Sequence, residues 1–184
     1  LSWEYSSQAA VDEGTLTPGD RSGDVWHANW ADVIVEDGVD KLYVSLCDIS
    51  TVVKIDPIAG RVEWKLGKDG DFTLLDPLGS ALPGTEFSSC QHGLEVEGKR
   101  ILFYDNGWVR HVSRVAEYEL DTTAMSATLL WTWTDGWYMC CLGDVDWLSS
   151  RRVLVNQARL GCGSVPTKIV EVVPETGQVA STMT

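Results

Sequence analysis

Apolar and polar positions alternate most clearly between residues 87 and 120. Leu94 and Val96 share one side of a segment, Ile101 and Phe103 share one side of the next, and Val115 and Glu117 point away from Ala116 and Tyr118. A period of two is the mark of β-strands half or wholly buried in a sheet. The turn dipeptide Asn106-Gly107 separates two of these segments, and Thr128–Trp133 supplies a fourth strand, so the stretch predicts one small antiparallel sheet.

The same layout recurs on either side. An earlier unit runs Val25–Val35, a turn at Glu36–Gly38, then Lys41–Ser45, Thr51–Asp56 and Arg61–Leu66. A later one runs Cys141–Trp147, Arg152–Asn156, Lys168–Val172 and Gln178–Ala180. Overlaying the first two units sets His27 on His92, Tyr43-Val44 on Phe103-Tyr104 and Trp64 on Trp131, and the Pro174–Gly177 turn repeats that of Asp56–Gly60. Leu1–Tyr5 matches the end of a preceding unit, while residues 6–23, with the turn Pro18-Gly19-Asp20, and residues 68–89 are expected to be loops.

Repeats of about forty residues, each of four short strands, predict the blades of a β-propeller. The expected fold class is therefore all-β: a β-propeller of four-stranded antiparallel blades, about three of them in this chain. The approximate blades are 24–67, 90–133 and 141–184, with 1–5 a strand of a preceding blade and 1–184 a single, partial propeller domain. A β-sandwich also has many evenly spaced strands, but the return of Trp in the last strand of successive units favours the propeller. One blade cannot bury both its faces, and a ring needs at least four, so another chain or missing residues are needed to complete it.

Composition narrows the partners. The chain has 184 residues, 44% of them hydrophobic, enough for one sizeable core. A net charge of -13 without a basic stripe argues against nucleic acid as a partner. No apolar run is long enough for a membrane span, and the start at Leu1 carries no signal-type pattern. Five cysteines point to an oxidising, extracellular or periplasmic setting. In the repeat alignment Cys47 and Cys90 approach one another across neighbouring blades, and Cys141 and Cys162 fall within one blade, so these are the candidate disulfides, with Cys140 left over as a thiol or a link to another chain. The alternative is that all five are buried small hydrophobes in a reducing compartment. Asp69-Gly70-Asp71 lacks the spacing of a calcium loop and the cysteines lack paired zinc spacing, so neither a metal nor a cofactor is expected.

Several motifs in order resemble a known family: Trp64-Lys65-Leu66-Gly67, Gln91-His92, Phe103-Tyr104-Asp105-Asn106-Gly107, Ser113-Arg114-Val115-Ala116-Glu117-Tyr118, and Leu129-Leu130-Trp131. The combination, from about Asp24 onward, is similar to the arylsulfotransferases. That resemblance implies a six-bladed ring with histidines, an Asn and an Arg around a sulfate ester at its centre. It implies transfer of a sulfuryl group from an aryl sulfate to a phenol through a transient sulfo-histidine. The matching positions are His27 and His92 as catalytic residues, and Asn106 and Arg114 as substrate-binding residues.

Elementary chemistry agrees in kind. A transferring sulfuryl group spreads negative charge over three oxygens, so it needs donors aimed at them and a nucleophile in line with the leaving phenolate. Neutral imidazole supplies the nucleophile, and imidazolium or guanidinium meets the charge. Each residue also has a plainer role open to it: His27 and His92 as hydrogen-bonded core residues, Asn106 as part of a common turn, Arg114 as a paired charge, and His111 as a solvated loop residue. Cys47-Asp48 stand where the family commonly places Arg-Asn, and Cys140-Cys141 where a third unit would offer a histidine. Two functions therefore stay open, an arylsulfotransferase-like enzyme and a non-catalytic extracellular propeller serving as a structural or binding subunit of a surface assembly.

Overall fold

The computed structural model describes residue 11 and residues 14–17, 26–158 and 167–183. The expected strand at Leu1–Tyr5, the turn at Pro18-Gly19-Asp20 and Cys162 lie outside the described residues. Three sheets make up the described chain. The first is a meander of β1 (Ala28–Glu36), β2 (Val39–Leu46), β3 (Thr51–Asp56) and β4 (Arg61–Gly67). After β5 (Thr73–Leu75), the second comprises β6 (Gln91–Glu97), β7 (Arg100–Asp105), β8 (Arg114–Asp121) and β9 (Ser126–Trp133). The third comprises β10 (Asp144–Trp147), β11 (Val153–Gln157), β12 (Lys168–Val173) and β13 (Gln178–Met183). All-β, with successive antiparallel meanders standing side by side, this is an open arc of a β-propeller.

Local chemistry sets the turns. Asp37 and Gly38 both have positive φ, 50° and 79°, which is the backbone of a two-residue hairpin loop between β1 and β2. The Asp56 carboxylate accepts the main-chain N–H groups of Ile58 and Ala59, and Asp121 does the same for Thr123 and Ala124, each at 2.9 Å. Gly60 N–H donates to the Asp56 carbonyl and Gly177 N–H to the Val173 carbonyl, both at 2.8 Å, so the turn before the last strand is shared by the first and third blades.

The linker of residues 68–89 holds more than a loop. It contains a 3-10 turn at Gly84–Glu86, and β5 pairs in parallel with the outer strand β9, making the middle sheet five-stranded. Thr73-Leu74-Leu75 is too short for a period to show in the sequence, and its partner is some fifty residues away.

The core is the space between blades. Tyr43, Val52, Trp64 and Leu66 of the first blade pack on Leu94, Ile101, Phe103, Ala116 and Tyr118 of the second. On the other side of the middle sheet, Leu102, Tyr104, Val115 and Trp133 meet Val145, Val153, Val155, Val170 and Val172. The alternation read from β8 is thus two buried faces serving two different neighbours.

The register of the repeats differs slightly from the sequence overlay. Tyr43 pairs across to Lys54 and Trp64, and Leu102 pairs across to Glu117 and Trp131. Tyr43 therefore answers to Leu102, one residue from the overlay, and Cys47 answers to Asn106. Ala28 opposite Leu46 answers to Gln91 opposite Asp105, which sets His27 on Cys90 and not on His92. Both faces of the middle strands are apolar, so the one-residue slip at Tyr43 costs nothing in the hydrophobic pattern, and the two-residue difference at His27 keeps each side chain on its face, so the overlay could detect neither.

Candidate functional site in the axial pocket

The inner strand β6 packs against both β1 and β10, and residues at or just before the starts of all three line one pocket. A pocket of about 490 Å³ opens there, lined by His27, His92, Trp108, Tyr138, Cys140 and Cys141. His27 precedes β1 and His92 is the second residue of β6, so the two are offset in their repeats, yet their rings meet edge to face with centroids 6.4 Å apart.

His92 is held by Asn106. Its Nδ1 lies 2.6 Å from Asn106 Oδ1, while the Asn106 amide nitrogen donates to the carbonyls of Met139 at 2.8 Å and Leu142 at 2.7 Å. Carbonyls only accept, so the amide nitrogen must face them and the amide oxygen must face the imidazole. His92 Nδ1 therefore carries the proton, and in the neutral ring the lone pair sits on Nε2. Burial pushes the His92 pKa below the ordinary imidazole value; the Asn106 hydrogen bond opposes that shift and the neighbouring His27 adds to it. A neutral imidazole with a fixed tautomer is a nucleophile or a general base.

Three further anchors fix the backbone around His92. Cys90 is bridged to Cys47 of the first blade with Cα atoms 4.1 Å apart, as the repeat alignment suggested. Gln91 is fully buried: its Oε1 accepts from Ser88 Oγ at 2.6 Å, and its Nε2 donates to Ser45 Oγ at 3.0 Å and the Thr51 carbonyl at 3.1 Å. Asn29 Nδ2 donates to the Gln91 carbonyl at 2.6 Å. At the other end Gly107, φ 71°, passes so close to Val112 that a Cβ would strike its carbonyl oxygen, so the Asp-Asn-Gly turn needs its glycine.

Arg114 lies outside the lining of this pocket. Its Nε donates to the buried Asp105 carboxylate at 3.0 Å, and its guanidinium also reaches the carbonyls of Glu86 and Phe87. Arg110 pairs with the same Asp105, whose other oxygen accepts the N–H groups of Ser89 and Gly107. His111 is exposed and stands edge-on to Tyr138. Among the described residues no three His, Cys, Asp or Glu side chains are gathered as a metal site.

The second predicted bridge is corrected. Cys141 keeps its thiol, and it is Cys140 that is disulfide-bonded. The two sulfurs lie 3.9 Å apart. This stretch is not a strand, so no alternation distinguishes adjacent cysteines, and the choice between them was outside the reach of the pattern. A bridged Cys47 and Cys90 fits an oxidising, non-cytoplasmic compartment. No helix among the described residues is long and apolar enough to cross a membrane.

The pocket also has lining residues that the sequence did not single out. Trp108 is tied by its indole N–H to the Cys140 carbonyl, and Tyr138 stands beside it in the lining. Trp108 directly follows the Asp-Asn-Gly turn, which was the one available signal for it; Tyr138 falls in an irregular segment that offers none.

Against known proteins, the chain matches the model of the family described as "Arylsulfotransferase (ASST)" over residues 4–184. It belongs to the arylsulfotransferase family. No curated protein matches. A solved structure titled "Kuenenia stuttgartiensis Hydrazine Synthase" is similar at 14% identity with a TM-score of 0.43, over 89% of this chain and 52% of its own. This arylsulfotransferase-family chain thus spans about half the length of that structure's chain, and the likeness is too distant to bear on function.

Proposed function

We propose that the axial pocket transfers a sulfuryl group from an aryl sulfate ester to a phenol, with His92 as the nucleophile. The observation that carries this is the tautomer imposed by Asn106, which directs an unprotonated Nε2 away from the amide. Nε2 attacks sulfur, the bond to the phenolate oxygen breaks, and the phenolate takes a proton from His27 in its protonated form. The sulfo-imidazolium keeps its Nδ1–H on Asn106 Oδ1, which offsets the new positive charge. An acceptor phenol then gives its proton to His27 as its oxygen attacks sulfur, and the S–Nε2 bond breaks to restore the lone pair. Asn106 acts in this scheme through His92, and Arg114 acts through Asp105 on the loops around the site. The setting is extracellular or periplasmic, as the bridge and the family suggest.

The test is release of nitrophenolate from 4-nitrophenyl sulfate in the presence of phenol. His92→Ala should lower the rate on the order of 10³-fold or more, and radiolabel from the donor should remain on the parent protein when no acceptor is present. A folded parent protein that transfers to no phenol tested would sink the enzymatic reading.

A second reading, a non-catalytic propeller serving as a binding or structural subunit, is favoured by one observation. The Arg114 guanidinium is committed to Asp105 and to two carbonyls, and the described lining of the pocket contains neither Arg nor Lys. Sulfite or sulfate-ester binding without turnover would be its signature.

A further inference from the structure

A second and larger pocket, about 630 Å³, lies beside the first, between the first and second blades. Trp108 lines both, and the bridged Cys47 and Cys90 line the larger one. Its chemistry is of another kind. The smaller pocket offers two imidazoles, an indole and a phenol ring. The larger offers three cations, Lys65, Lys68 and Arg110, against three carboxylates, Asp48, Asp69 and Glu86, so it has no net preference for either sign of charge. Hydroxyls from Ser50, Thr85 and Ser89 stand among them.

Part of this inventory is already in use. Arg110 is paired with Asp105, Lys65 Nζ donates to the Thr15 carbonyl at 3.0 Å, Ser50 Oγ accepts from Cys90 N–H and Ser89 Oγ from Val109 N–H. The side chains of Lys68, Asp69 and Glu86 have no hydrogen bond or ion pair among the described residues. A ligand that suits a wall of interspersed donors and acceptors, with an indole at one end, is a polyhydroxylated ring. Its hydroxyls both donate and accept, and its C–H faces pack on aromatic rings.

The geometry points to a two-part acceptor site: the phenol ring beside His92 in the smaller pocket, and a sugar attached to that phenol in the larger one, with Trp108 at the junction and Asp69 and Glu86 accepting sugar hydroxyls. The acceptor class is a phenolic glycoside. This rests on the sulfuryl-transfer reading for its catalytic half only, since sugar binding is measurable without turnover.

Calorimetric titration of the full-length protein with phenol and with 4-hydroxyphenyl β-glucoside tests it. The glucoside should bind at least about tenfold more tightly than phenol. The double variant Asp69→Ala/Glu86→Ala should erase that preference and leave phenol binding unchanged; both side chains lie at the pocket wall outside the core, so the fold should survive. Lys68→Ala should weaken the preference less. Equal affinity for the two ligands, no binding of the glucoside, or a preference that persists in the double variant would each overturn the proposal. Tight glucoside binding with no sulfuryl transfer would overturn the catalytic reading and leave the sugar site standing.

Discussion

Two blade junctions use the same position of the repeat in different ways. At the end of β2 that position is Cys47, which is bonded covalently to Cys90 at the start of the next inner strand. At the end of β7 it is Asn106, which reaches the equivalent place before β10 with two hydrogen bonds to the carbonyls of Met139 and Leu142. A covalent staple leaves nothing over. An amide that uses its nitrogen on the neighbouring blade still has an oxygen to offer, and that oxygen orients His92. Stapling the first junction and hydrogen-bonding the second therefore concentrates the chemical capacity of the repeat at the second.

The largest effect expected on stability comes from the first junction. Closing a loop between residues 43 apart in sequence is worth about 4 kcal/mol in the chain-entropy view. Cys47→Ala/Cys90→Ala should lower the unfolding free energy by about that much, measured by denaturant titration, while the tautomer of His92 is retained because Asn106 is untouched. A variant as stable as the parent would show that the interface of Trp64, Phe103 and Tyr118 carries the junction unaided.

Asn106→Ala should cost less in stability, about 3 kcal/mol for the Leu142 carbonyl and the imidazole N–H left without a partner, the Met139 carbonyl keeping Ser113 Oγ at 3.2 Å, and more in chemistry. Nitrogen chemical shifts of the His92 ring should change from a single tautomer to a mixture. The same substitution removes the interaction that opposes the downward shift of His92, so its pKa should fall further below the ordinary value, as read from its ring proton signals against pH. A pKa that rises on this substitution would contradict the hydrogen-bond assignment.

Gln91→Met tests the backbone between the two junctions. It keeps the bulk of the side chain and removes the donor that ties β6 to the first blade together with the acceptor for Ser88 Oγ, so about 2 kcal/mol should be lost. The separation of His27 and His92 should loosen as well, appearing as a fall in kcat with little change in KM. The smallest effect expected is on pH dependence. Because the folded protein holds His92 neutral at a lowered pKa, the unfolded chain takes up a proton that the native state resists. Stability should therefore decline as pH falls below about 6.5, the unfolded value, and the acid limb of the transfer rate should lie below that value.

The blades were legible because alternation and turn chemistry repeat, and neither needs tertiary information. Gln91-His92 and Asp105-Asn106-Gly107 stood out for the same reason, as short motifs at strand ends. What the sequence could not carry was register and direction. A strand buried on both faces keeps its pattern after a one-residue slip, so Cys47 was not seen to take the place of Asn106. Arg114 was read as facing a substrate because the motif includes it, yet Asp105, nine residues earlier and on the neighbouring strand, engages its Nε. Cys140 and Cys141 are neighbours in an irregular segment, where no periodicity tells which sulfur faces which way.

The parallel pairing of β5 with β9 has a consequence for how these sheets meet other chains. The outer edge of a meander exposes a row of N–H and C=O groups that another strand can join, and this is a common route to aggregation. In the middle blade the linker from the first blade already occupies three residues of that edge, Ser126 to Thr128. Segmental replacement of Thr73–Leu75 with a Gly-Ser linker should thus leave the inner pocket intact and raise the tendency of the protein to form intermolecular β-sheet, because it would uncover a template that the chain keeps covered with its own backbone.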